Sequence, residues 1–548
     1  IVSMVAMTTG LIALTAGGAF LIAGDSAGGP VTPSTINARQ QTFSGAAPLQ
    51  PLRVEDRLVY LHARRTSVRD FTYDFFTNVY RGADLSVLSP HLFAGRDILQ
   101  WTYAAEPNKL VWAVRDDGVL LTLTYLKEQE VAGWTHCDTQ GQYVSVCSIP
   151  ETNQDAVYVV VRRLIAGTYH YVMERFASRD FGQNVPLNIP SQPERVWCVD
   201  CGARSALTYP NATLTTEAAF LNVLGNPVIV DGGSGYTAPV ATVVDGQGVG
   251  TGGAVTLSVT GGVITGATTT NVGSNYLSPQ IIIEDVTGQG GVVVVPATNV
   301  YVFNVSSPIL SGADQGKVVR VGGGIGTVSV INSTTQMVVT MDNPLPGRLP
   351  NTPDVVLAPT FAGDWSMTAP SFYFGGLDWL NGQMVQIVAD GSVHPPQVVS
   401  DGCIQLQIPA TLVVAGMGYT CQVQTLRPDA GLPTIQGRRR TVTSTTLRLM
   451  DSRGVAVGNS FDSLYEQKER NNERYGQPIS FQIGGGALAP TYDEAPIGQD
   501  PIGYQDAYTN LGGGWDTQGH LCLLQSWPMP VHLLAYVSEI VLGDTDSR

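Results

Sequence analysis

The chain runs to 548 residues with 45 acidic and 30 basic side chains, a formal net charge of −15 at pH 7, and only 14% charged residues. That length argues against a single hydrophobic core, and that acidity excludes a protein that grips nucleic acid through a basic stripe. With 61 glycines, 33 prolines and Val, Ile, Leu and aromatic residues recurring at strand spacing, the composition predicts an all-β chain rich in turns and excludes intrinsic disorder.

The first 24 residues carry no charged side chain, and no Lys or Arg precedes Arg39. A secretory signal needs a basic region ahead of its apolar core. A membrane helix needs about 20 continuous apolar residues, and here Gly10, Gly17, Gly18 and Gly24 interrupt the run. The segment reads instead as a β-hairpin, with LIALT (11–15) and AFLIA (19–23) flanking a turn whose glycines are expected at positive φ. The chain begins at Ile1 rather than Met; earlier strands are expected upstream, leaving the first repeat incomplete.

Strand–turn–strand words of the same kind recur from Leu58, Leu110 and Val157, so that the starts from Leu11 onward are 47, 52 and 47 residues apart. This period matches one four-stranded blade of a β-propeller. Residues 1–204 are therefore expected to form propeller-like blades, stacked because no blade buries both faces alone. In the third copy, Asp117-Gly118 predicts a type I′ turn.

After this the chemistry changes. GGSGYTAPVATVVDG (232–246) returns as VGSNYLSPQIIIEDV (272–286), an offset of 40 that aligns Tyr236 with Tyr276, Pro239 with Pro279 and Asp245 with Asp285. A glycine-rich β repeat module is expected over 205–299, each tyrosine covering an apolar seam and each aspartate serving a turn, since no dense acidic loop of the calcium-binding kind is present. Residues 300–369 predict another short β unit. Its GGGIG (322–326) leads into the strand TVSVI, so no helix N-terminus follows to bind phosphate. A returning blade is expected over 370–425 and a mixed, mostly β platform over 426–548, with the polar stretch 463–478 as a short helix or exposed loop.

Little of this carries chemistry. The seven cysteines, Cys137, Cys147, Cys198, Cys201, Cys403, Cys421 and Cys522, form neither a disulfide scaffold nor a metal framework, and suit folding in a reducing compartment. Cys198 and Cys201 make a CxxC, but no second ligand pair follows, and the all-β context lacks the helix a redox pair requires. His136, Cys137 and Asp138 adjoin one another, yet neighbours on a strand point to opposite faces. The carboxylate pairs Glu128/Glu130 and Asp116/Asp117 are explained by solvation, and no GxSxG elbow occurs. No catalytic, cofactor-binding or metal-ligating residue is assigned. The one local cationic cluster, Arg438, Arg439 and Arg440, is a candidate contact for an acidic partner surface or a phosphate.

The words LVYLHARRTSVRDFTYDFFTNVYRGADLSVLSPHLF, EPNKLVWAVRDDGVLLTLTYLKEQEVAGWTHCDTQGQYVSVCSIPE, LDWLNGQMVQIVADGSVHPP and LGGGWDTQGHLCLLQSWPMPVHLLAYVSEI resemble the tail nozzle proteins of short-tailed bacteriophages, also called tail tubular proteins B or stabilization proteins. The resemblance covers about 1–202 and 370–548; residues 205–300 are similar to a glycine-rich β module of phage structural proteins, and 300–345 resemble a small β-barrel of such proteins, which implies a small β-barrel-like module over 300–369. It implies a non-enzymatic virion protein assembled in the host cytoplasm. It further implies a homo-hexameric ring below the portal and its adaptor, through which genomic DNA passes without sequence-specific binding. Tail fibres or spikes are further possible partners, and Arg438–Arg440 the expected adaptor contact. Acidic loops lining such a bore would repel DNA and let it slide. The alternative is a receptor-binding, spike-like carbohydrate protein of the tail.

Overall fold

The computed structural model describes residues 1–24, 30–74, 76, 79–129, 131–151, 154–165, 167–177, 198–246, 248–321, 324–341, 365–429, 435, 437–450, 452, 454–466, 482–483, 487–488, 504–510 and 519–543. Among them the chain is all-β, built of many small antiparallel sheets with no helix of seven residues or more. Among the described residues no helix is long and apolar enough to cross a membrane. The chain divides into two compact units, Ile1–Asp180 and Phe181–Arg548.

The first unit is a succession of meanders. The first sheet holds β1 (Ser3–Met7), β2 (Gly10–Thr15), β3 (Gly18–Ala23) and β4 (Asn37–Thr42). The second holds β5 (Leu52–Val54), β6 (Arg57–Leu61), β7 (Val68–Asp74) and β8 (Val79–Arg81). The third holds β9 (Ile98–Ala104), β10 (Leu110–Arg115), β11 (Leu120–Leu126) and β12 (Val131–Cys137). The fourth shows three strands, β13 (Gln142–Glu151), β14 (Gln154–Ile165) and β15 (Thr168–Arg175). Each repeat start read from the sequence thus falls on the second strand of a successive sheet. The first sheet carries four strands.

Side-chain alternation decides how these sheets pack. Leu58, Tyr60 and Phe71 of the second sheet join Ile12, Leu14 and Ala19 of the first in one core. The intervening Val59, Leu61 and Val68 join Val111, Ala113, Leu121 and Leu123 of the third in another. Leu110, Trp112, Val114 and Leu120 then pack on Val157, Val159 and Val161 of the fourth. The middle sheets are buried on both faces, so β10 reads LVWAVR, with apolar residues at consecutive positions rather than alternate ones. Each such side chain contributes about 1.5–3 kcal/mol by leaving water. A buried carboxylate ties the second sheet to the third: Asp70, 2% exposed, accepts from Tyr125 Oη at 2.6 Å and from the Ala83 N–H at 2.5 Å, with Arg57 Nη1 at 3.5 Å.

Two turns differ from expectation. In the β2–β3 hairpin the positive φ falls on Gly18 (157°) and not on the central pair Ala16-Gly17; Thr15 Oγ1 accepts the Gly17 N–H at 3.2 Å and donates to Gly18 O at 2.8 Å, holding the turn from its side. At Asp117-Gly118 only Gly118 is left-handed (φ 84°). The Gly118 N–H reaches Arg115 O, and the Arg115 N–H reaches Val119 O. This is a three-residue loop closed by a bulge glycine, not a type I′ turn. Arg115 holds both Asp117 oxygens at 2.7 and 2.8 Å, which selects that geometry.

The second unit opens with β16 (Asp200–Arg204) and β17 (Leu214–Leu224). The glycine-rich module follows as β18 (Val228–Ser234), β19 (Val240–Asp245), β20 (Thr251–Thr260), β21 (Val263–Ser274), β22 (Pro279–Glu284) and β23 (Gln289–Val294). Then come β24 (Ala297–Val305), β25 (Val318–Val321), β26 (Gly324–Ser333), β27 (Gln336–Met341) and β28 (Trp365–Thr368). β29 (Ser371–Phe374), β30 (Met384–Ala389), β31 (Ser392–Val398), β32 (Ile404–Ala410) and β33 (Val413–Met417) complete the middle of the unit. β17 lies in one six-stranded sheet with β24–β28, in the order β17-β24-β27-β26-β25-β28. The module is therefore inserted between β17 and β24, which pair with each other. Likewise β16 pairs with β33 beside β30 and β31, so the strand at 200–204 belongs with the returning blade. GGGIG is described only from Gly324, where β26 begins.

Beyond β33, Cys421–Gln424, Cys522–Gln525, Val455–Ser460 and Ser463–Glu466 form one sheet, and Tyr504–Asn510, Arg440–Met450 and His532–Leu542 another. Of the polar stretch 463–478, Ser463–Glu466 is strand; the remainder lies outside the described residues.

Candidate functional site

The three arginines do not form one cationic cluster. Arg440 opens its strand with 1% exposure, and its guanidinium donates to Pro428 O at 2.5 Å and Ile435 O at 2.7 Å. Arg438 is half-buried and donates to Gly543 O at 3.3 Å. Only Arg439 is exposed. Arg438 and Arg439 precede the strand that Arg440 opens, so the three side chains leave the backbone in different local conformations.

The glycine-rich module holds the most ordered polar constellation. β18 pairs β23, β19 pairs β22 and β20 pairs β21. The pairings repeat with a local two-fold: Val228↔Val294, Ile229↔Val293 and Asp231↔Val292 correspond to Thr268↔Thr256, Thr269↔Val255 and Asn271↔Ala254, bulge included. Each carboxylate clamps the other half. Asp245 accepts the N–H groups of Gly250 (2.9 Å), Val249 (3.2 Å), Leu277 (3.4 Å) and Ser278 (2.7 Å). Asp285 accepts those of Thr287 (2.9 Å), Gly288 (2.8 Å), Thr237 (3.1 Å) and Ala238 (2.7 Å).

Desolvation raises the Asp245 pKa, but these four donors outweigh it and bring the carboxyl down to about 2. At Asp285 the donors, Thr287 first, hold it well below the usual carboxylate range. An oxygen facing several N–H donors sits where a cation is repelled, so the calcium reading of these aspartates is rejected on the donor set itself.

The tyrosines explain the glycines. Tyr236 Oη accepts the Gly291 N–H at 2.9 Å, and Tyr276 Oη the Gly253 N–H at 2.8 Å. Each ring lies flat on a second glycine, where a Cβ at Gly288 or Gly250 would come within 2.1 or 2.3 Å of ring carbon. The 40-residue repeat identified the tyrosines and aspartates from sequence; their partners were missed, because the matching glycines recur at 38 rather than 40 residues.

The remaining candidates separate. His136 and Cys137 pair with Leu121 and Leu120, which belong to different cores, so the two side chains occupy opposite faces. His136 Nε2 stands 3.5 Å from Asp138 Oδ2 at the surface. Asp117 is committed to Arg115, whose hydrogen bonds lower its pKa. Glu128 lies in a short turn, Lys127–Gln129, while Glu130 falls outside the described residues. Cys201 sits on β16 in a left-handed conformation (φ 51°) and Cys198 precedes it. Among the described residues no three His, Cys, Asp or Glu side chains converge as a metal site. A shallow open cleft is lined by Trp112, Asp155, Arg175 and Phe176 among others. No protein-family model matches the chain, and no curated protein matches it.

Proposed function

We propose that this chain is a structural protein of a virus particle, the tail nozzle of a short-tailed bacteriophage. It forms a hexameric ring below the portal and adaptor through which the genome is retained and then ejected. The observation that carries the reading is the run of four meander sheets packed face to face, each sharing a core with the next. Such sheets are the blades of a propeller-like wall, the architecture implied by the sequence words quoted above. A net charge of −15 supports a conduit that repels phosphate instead of binding it. Homo-oligomers of this kind close by cyclic symmetry. Arg439, the exposed member of its trio, is the residue of the three available to an adaptor. Its place is then the virion tail, with fibres or spikes as further neighbours. Class averages of the purified protein by electron microscopy test the reading. Sixfold rings with an open bore are expected; trimers or monomers that bind saccharide overturn it in favour of a receptor-binding spike.

A further inference from the structure

The local two-fold of the glycine-rich module supplies an internal control for its surface. Positions inside the module match between halves: the tyrosine rings, the carboxylate clamps and the bulges all superpose in register. The equivalent outward positions do not match. On β18 and β23 these are Val228, Val230, Val292 and Val294, 56, 65, 46 and 47% exposed. Their counterparts on β21 and β20 are Thr268, Thr270, Ala254 and Thr256, also exposed. Threonine is the isostere of valine with a hydroxyl in place of a methyl, so the β-sheet fits either equally well. Folding therefore does not require four exposed valines on one half, since the other half adopts the same pairing with three threonines and an alanine. Contiguous exposed aliphatic surface of this kind marks a contact.

Two observations identify the occupant. The module carries four acidic residues, Asp231, Asp245, Glu284 and Asp285, and no Lys, Arg or His between 226 and 296, which disfavours nucleic acid and anionic lipid. Four half-exposed valines also fall far short of the roughly 800 Å2 per partner that a free-standing complex buries. A patch of that size contributes only when other contacts already hold the partner close, as between neighbouring subunits of an assembly. We infer that the valine face of β18 and β23 packs on the adjacent copy of this chain in the oligomer. This rests on the ring reading above and names one of its subunit contacts.

The test is to give the valine half the surface of its counterpart in the full chain, Val228→Thr, Val230→Thr, Val292→Ala and Val294→Thr together. The second variant makes the reverse exchange, Thr268→Val, Thr270→Val, Ala254→Val and Thr256→Val. Wild type and variants are compared by mass photometry across a dilution series, with circular dichroism melts to check folding. Hydroxyl-radical footprinting of assembled against dissociated wild type reads the four valines directly. The expected result is dissociation of the first variant at subunit concentrations at least tenfold higher than wild type. The valines should be protected in the assembled form, while Thr256, Thr268 and Thr270 stay reactive. Wild-type rings with unprotected valines, or first-variant rings as stable as wild type, overturn this inference and leave the ring reading standing. Wild type that stays monomeric at every concentration overturns both. If the first variant does not fold, the footprint on wild type decides alone.

Discussion

Replacing Gly288 by alanine places a methyl carbon 2.1 Å from Tyr236 Cδ1 and 2.5 Å from its Cγ, where non-bonded carbons require about 3.5–4 Å. The ring cannot retreat freely. Its hydroxyl is held by the Gly291 N–H at 2.9 Å, and the ring packs against Ile264 and Val293 in a core where Tyr236 is 5% exposed. Gly288 does not have positive φ, so backbone strain is not part of the effect. Overpacking of this kind costs about 1–3 kcal/mol, and loss of the tyrosine hydrogen bond adds about 1 kcal/mol, giving about 2–4 kcal/mol in all. Native-state hydrogen exchange of the full chain measures this locally, free of any assumption that the chain unfolds in one step. Amides of β18 and β23 should exchange about 30- to 700-fold faster, at tenfold per 1.4 kcal/mol. Gly250→Ala should act alike on β20 and β21, because Tyr276 faces it at 2.3 Å. Gly246→Ala is the control, its nearest neighbours being 3.3–3.4 Å away, with an expected change of about 0.5 kcal/mol or less. Exchange in Gly288→Ala no faster than in Gly246→Ala would refute the ring-on-glycine argument.

Three further outcomes are expected. The depressed carboxyls of Asp245 and Asp285 make the module's stability full above the unfolded carboxylate pKa of about 4, and lost as pH falls from there through about 2, the folded value for Asp245; the opening free energy of the module, from hydrogen-exchange rates divided by the intrinsic amide rate at each pH, should be flat near neutrality and fall only below about pH 4. Tyr125→Phe removes the 2.6 Å hydrogen bond to buried Asp70, and should destabilise the second and third sheets by about 1–3 kcal/mol in urea unfolding of the first unit's signal, an unchanged midpoint arguing against the clamp. Arg440→Ala deprives two backbone carbonyls of their donor, costing on the order of 3 kcal/mol, whereas Arg439→Ala should stay within about 0.5 kcal/mol; equal effects in thermal melts would contradict the opposite burial of the two side chains.

How far a short sequence word determines structure is seen by comparing two of the Asp-Gly turns. Asp390-Gly391 joins β30 to β31 with both residues at positive φ, 45° and 80°, the type I′ geometry that the dipeptide favours. Asp117-Gly118 does not adopt it, because Arg115 captures the Asp117 carboxylate from two residues away. The same dipeptide yields different turns according to what the aspartate finds nearby. In the apolar opening of the chain, LIALT and AFLIA are strands β2 and β3, legible from alternation and glycine; Gly18 supplies the positive φ, and Thr15 holds the turn from its side.

Periodicity was sufficient to show that this chain is all-β, that repeats near 47 residues structure its first part, and that a second repeat of 40 residues lies between 228 and 295. These follow from local rules, since strand alternation and turn residues act over a few positions. The cores between successive sheets, the carboxylate of Asp70 bridging β7 to β11, and the crossing of β17 and β16 past the expected module boundaries were decided by tertiary structure. So was the fate of Arg438–Arg440, where a contiguous charge cluster in sequence separates into one buried, one half-buried and one exposed side chain. Pairing partners far apart in the chain leave no short-range mark. Only folding brings Gly288 under Tyr236 or lays a valine face beside its threonine twin.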